Sequence, residues 1–190
     1  MSHPSQQFPP DYYAYFGQEP DKMLRTMRII AGALIAGVVS FGVIASFIVF
    51  GQAPVAQPGG PPPAAPQNGS EIIMYFAIAF AAVAVTMSFV VPNLVAAAQV
   101  KDIAKMAQDG TATGPKELFG RLLAVAQTKM IIALALVEGA AFFNLIAFII
   151  TKSLIPPAVV GVLLLVMAIH FPTKFKLARW LEDQQRFLGH

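Results

Sequence analysis

The chain has 190 residues, 56% of them hydrophobic and 12% charged, about half the roughly 25% charged share of an ordinary soluble domain. It contains no cysteine, which excludes disulfides, thiolate catalysis and Cys-based metal sites, and its histidines, His3, His170 and His190, are too scattered for a metal cluster. The net charge of +3 does not point to nucleic acid, because the basic residues sit at the ends of long apolar runs, where they suit an anionic membrane surface.

The first 26 residues are polar and proline-rich, with Phe8, Tyr12, Tyr13, Tyr15 and Phe16 interspersed. Such a segment buries no core and reads as a disordered tail (1–26). Four apolar runs follow, at 27–50, 72–98, 130–150 and 154–171. A membrane-spanning helix needs about 20 apolar residues, so each reads as a span, the fourth being short. The first run is longer than the roughly 7–15 apolar residues of a signal peptide and follows a polar leader. The fourth opens on Pro156 and Pro157, which a first helical turn accepts because no N–H partner is needed there. A re-entrant segment is the alternative reading for it.

Between the first two runs lies a proline-rich loop (51–71) without Lys or Arg. It reads as an extended, solvated linker. The connection 99–129 has helical character of its own. The second helix is expected to extend to Gln108 and stop near Gly110. Pro115 and Glu117 open another helix in which Leu118, Leu122 and Val125 recur at helical spacing. That stripe is expected to lie on the membrane surface or on the bundle. Beyond Pro172, the segment 172–190 alternates Phe175, Trp180, Leu181 and Leu188 with Lys174, Lys176, Arg179 and Arg186. It reads as an amphipathic helix at the cytoplasmic lipid interface.

The basic residues fix an expected orientation. All of them except Lys152 fall before span 1, between spans 2 and 3, or after span 4. The positive-inside rule puts those segments, and both termini, in the cytoplasm. The expected architecture is an all-α, integral membrane four-helix bundle with amphipathic interfacial helices. The expected location is a bacterial inner membrane, with multiple passes.

One ionisable side chain stands in the middle of a span. Glu138 sits in QTKMIIALALVEGAAFFNLIAFII, where a carboxylate costs about 3 kcal/mol on insertion scales. It therefore needs a partner or the neutral form. Ser40, Ser46, Thr86 and Ser88 are the candidate partners on other spans. Asn144, six residues on, points to another side of the helix. Ala135 and Gly139, Ala33 and Gly37, and Ala77 and Ala81 form small-xxx-small pairs that allow close helix approach. In a structural reading, Glu138 is neutral and hydrogen-bonded inside the bundle. His170, at the cytoplasmic end of span 4, reads as interfacial.

The stretch TKMIIALALVEGAAFFNLIAFII resembles the carboxylate-bearing helix of the rotor proteolipid (c) subunits of rotary ATP synthases. That resemblance covers about 20 residues and implies Glu138 as an ion-binding carboxylate. Span 2 here lacks the glycine repeat of the proteolipid's first helix. A second resemblance rests on Glu138 to Asn144, EGAAFFN, and on Phe171 to Lys174, FPTK. These look like a group of uncharacterised bacterial four-span membrane proteins, and imply an inner-membrane location without an activity. The expected role is structural or accessory, with no enzyme activity and no cofactor. Its expected partners are the lipid bilayer and other membrane proteins or further copies of the chain. The alternative is a proton- or cation-conducting element using Glu138.

Overall fold

The computed structural model describes residues 19–51, 68–110 and 114–188. They form five helices: α1 (Glu19–Gly51), α2 (Asn68–Gln108), α3 (Pro115–Thr151), α4 (Ile155–His170) and α5 (Lys174–Leu188). Among the described residues there is no strand. Residues 52–67 of the proline-rich loop and most of the amino-terminal tail fall outside those residues, and the loop's expected end at 71 is corrected because α2 already begins at Asn68. The tail expectation is corrected at its end, however, because α1 already begins at Glu19. Pro20 suits a first helical turn, and Leu24 and Met27 are buried, so this turn has a core to join.

The helix ends follow local chemistry. Gly110 closes α2 at φ 66°, a left-handed position that glycine adopts without steric cost. Lys152 does the same for α3 at φ 53°, with its N–H on Phe148 O at 2.8 Å. Thr173 caps α5, its Oγ1 accepting from Lys176 N at 3.3 Å. Pro92 lies inside α2 without ending it.

At 1.5 Å per residue, α1, α2 and α3 are about 50, 60 and 55 Å long, well beyond the roughly 30 Å of a bilayer's hydrocarbon. All three are long and apolar enough to cross a membrane. Helix α4 meets that standard only together with α5, across a bend of 58°. Among the described residues the chain is thus all-helical, with three to four helices long and apolar enough to cross a membrane.

It divides into two compact units, with α1, α2 and α3 each contributing to both. One unit comprises residues 33–88 and 134–169. Its only charged side chains are Glu71, Glu138 and Lys152. Helix α3 is its centre, with half of its most apolar window buried, against 11% for α1. Phe41 of α1 meets Phe142 edge-on at 5.3 Å between ring centroids. Phe76 and Phe80 of α2 meet Phe143 at 5.8 and 5.4 Å. Large apolar side chains such as Val43, Phe47, Val83 and Leu165 point outward, as lipid-facing residues do.

The other unit comprises residues up to 32, 89–133 and from 170 onward. It carries every Lys and Arg except Lys152, and it encloses a separate apolar core. Leu24 of α1, Val100 and Ile103 of α2, Leu118, Phe119 and Leu122 of α3, and Leu177 and Leu181 of α5 are buried together there. The last helix thus packs part of its apolar face on protein, while Phe175 on the same helix stays exposed. The buried part is covered by three neighbouring helices, because burial against protein satisfies an amphipathic stripe as well as lipid does. Polar contacts hold α5 in place: Lys174 Nζ lies 2.8 Å from Asp21 Oδ1, and Arg28 Nε donates to Pro172 O at 3.3 Å.

Candidate functional site

Helix α3 is unbroken from Pro115 to Thr151, and Glu138 stands nine residues past Lys129, about 14 Å along the axis. Its side chain is neither buried nor fully exposed. The carboxyl group lies over Gly37 of α1, where an added Cβ would stand 3.6 Å from Oε1 and 3.9 Å from Phe142 Cζ. A Cβ at position 37 would thus make ordinary van der Waals contact with the carboxyl group, which packs against this part of α1.

None of the four expected partners reaches Glu138. Ser46 Oγ donates to Gly42 O at 2.8 Å, Thr86 Oγ1 to Ala82 O at 3.0 Å and Ser88 Oγ to Val85 O at 2.7 Å. All three hydroxyls serve their own helices, the common resort of Ser and Thr in an apolar setting. Ser40 is exposed. Among the described residues neither Ser40 nor Glu138 has a hydrogen-bond partner. The expectation of a hydrogen-bonded Glu138 inside the bundle is corrected accordingly. The carboxylate sits at the rim of the α1–α3 seam.

The buried polar residue of this unit is Asn144, at 0% exposure. Its Nδ2 donates to Ala77 O of α2 at 3.1 Å and to Ala140 O of its own helix at 2.9 Å. Its Oδ1 is buried without a partner. The small pair Ala77 and Ala81 is buried as expected, and it is the close approach at Ala77 that lets the amide bridge α2 and α3. The pair Ala135 and Gly139 does not work in this way. Both are exposed, and nothing lies within 4 Å of a Cβ on Gly139.

A groove of about 530 Å³ opens between α1, α3 and α4, with Val38, Gly42, Phe47, Phe148 and Gly161 among its walls. Its one side-chain polar group is Ser46, already committed to Gly42 O. The groove thus offers shape without chemistry. His170 ends α4 with its ring 4.7 Å from that of Phe89. Among the described residues, no group of three or more His, Asp or Glu could hold a metal ion.

No protein-family model matches the chain, and neither a curated protein nor a solved structure is similar to it.

Proposed function

We propose that this chain is a four-span membrane protein with both termini in the cytoplasm, and that it serves as a non-catalytic structural or accessory component of a membrane assembly in a bacterial inner membrane. The observation that carries this reading is the unsatisfied Glu138 at the rim of the α1–α3 seam. An acid in hydrocarbon without a hydrogen bond is costly, and a neighbouring protein can supply the bond that its own chain does not. Orientation follows from the charges. The segments holding nearly all of the Lys and Arg take the cytoplasmic side, and α4 crosses as the fourth span of the bundle.

The rival reading, with Glu138 carrying a proton or cation, draws on the resemblance of α3 to the rotor proteolipid. Conduction requires a series of polar groups along a path. Three of the four candidate hydroxyls, on Ser46, Thr86 and Ser88, are tied to their own helices. That disfavours a relay.

Extraction in mild detergent followed by native mass measurement tests the assembly. The accessory reading expects a particle heavier than the 20.3 kDa chain, and a lone chain in every gentle detergent overturns it. Orientation is tested on single-cysteine variants. An impermeant maleimide should label Gln57→Cys in spheroplasts and leave Ser5→Cys unlabelled, and the reverse labelling overturns the topology.

A further inference from the structure

We infer that the outward face shared by α1 and α3 is a contact between two copies of this chain, in which Ser40 of one copy hydrogen-bonds Glu138 of the other, twice about a two-fold axis normal to the membrane. The inference rests on the accessory reading and names the partner, and it needs α1 and α3 to cross the membrane in the same sense.

Most polar side chains within the spans are already served. Ser46, Thr86, Ser88 and Asn93 donate to carbonyls of their own helices, and Asn144 donates twice. Tyr75 lies near a span end, four residues past Glu71, where an aromatic ring meets the interface. Ser40 and Glu138 are left, both in the interior of their spans and without a partner among the described residues. Ser40 does not even donate to the carbonyl four residues back, as Ser46 does.

The two groups share a face. Gly37 lies against the Glu138 carboxyl, and Ser40, three residues further on, neighbours Gly37 on the helix surface. Ser40 thus stands about 4.5 Å along α1 from the level of Glu138, within the reach of a glutamate side chain. Around them the surface is low. Ala33, Ala36, Ala135 and Gly139 are all exposed, which permits close approach of another helix. The pair Ala135 and Gly139 and the alanines at 33 and 36 therefore remain open beside the two unpaired polar groups.

A self-complementary contact must carry both halves of its bond on one surface, and this face does. A two-fold axis normal to the membrane preserves depth, so α1 of each copy meets α3 of the other and Ser40 arrives about 4.5 Å from the level of Glu138, within the reach of its side chain. The bond forms with either protonation state. A carboxylate accepts from the serine hydroxyl, and a carboxylic acid donates to it.

Two differently tagged copies, one Ala36→Cys and one Gly139→Cys, are co-expressed and oxidised in membranes. A disulfide-linked mixed dimer is expected, because the chain has no other cysteine. A control pair on distant outward positions, Phe80→Cys with Val162→Cys, should stay unlinked. In detergent, sedimentation equilibrium should show Ser40→Ala and Glu138→Leu each weakening self-association by about 9- to 225-fold, because each removes both symmetry-related bonds and one hydrogen bond between membrane helices accounts for about 3- to 15-fold. The double variant should be no weaker than either single one. Circular dichroism on each variant checks that the helices persist, and Glu138→Gln, which keeps a hydrogen-bonding group, should associate like the parent. Equal linking of the control pair, no mixed dimer, or additive losses in the double variant overturns the contact. Linking of Gly139→Cys to a different protein also overturns it while leaving the accessory reading intact. A Glu138-dependent ion flux would sink the accessory reading and leave the cross-linking result untouched.

Discussion

Leu181 and Phe175 lie six residues apart on α5, and the structure gives them opposite fates. Leu181 is fully buried in the core shared with Leu118, Phe119 and Leu122, whereas Phe175 is 72% exposed. An amphipathic helix lying in the membrane interface would sink both into lipid. A helix docked on its neighbours loses stability only with Leu181. Truncating a fully buried leucine removes its transfer free energy and leaves a cavity, together about 2–5 kcal/mol. In a chain of this size that lowers the melting temperature by roughly 5–15 °C. Phe175→Ala should stay within about 0.5 kcal/mol of the parent, as surface substitutions do. The assay is thermal unfolding in mild detergent, followed by tryptophan fluorescence. Trp180 is the sole tryptophan and packs against that core, so its emission reports this unit. Equal losses from the two variants, or a larger loss from Phe175→Ala, would refute the docking of α5.

Three further outcomes follow from the geometry. Lys152→Gly should stabilise the protein by about 1 kcal/mol, because glycine relieves the left-handed strain of a side-chain-bearing residue at φ 53°; a lower melting temperature would contradict this. Gly110→Ala, at φ 66°, should destabilise by a similar amount, and an unchanged melting temperature would count against the left-handed cap. Asn144→Asp should cost more than about 2 kcal/mol by placing an acid between α2 and α3. Asn144→Leu should be far milder, since it removes the orphan Oδ1 together with the two donated bonds; the reverse order in detergent melts would refute this account of the amide.

Helix content was the most legible property of the chain. Apolar runs, the glycine at 110 and Pro115 mark helices that the structure forms, and the break near Gly110 is where those residues put it. The core made by Leu24, Leu118, Leu177 and Leu181 was hidden, because an amphipathic stripe looks the same whether lipid or protein covers it. Periodicity gives a face without naming its neighbour. Asn144 was readable only as lying off the Glu138 side of α3. Its burial depends on Ala77 approaching from α2, a contact 67 residues away. The failure to find a bond for Glu138 has the same origin. Composition offers four hydroxyls, but three of them prefer carbonyls on their own helices, a choice set by local geometry. The small pairs carried a real signal with an ambiguous address, for Ala77 and Ala81 pack inside while Ala135 and Gly139 face out.

The central claim is that Glu138 serves contacts between chains and carries no ion. Purified protein and Glu138→Gln protein are reconstituted into vesicles, and proton and sodium flux are measured under an imposed gradient. The account predicts leak-level flux that is the same for both proteins, with the variant folding at least as well as the parent, since a costly ionisable group is gone. A flux well above that of empty vesicles, lost on Glu138→Gln while the fold persists, would contradict it.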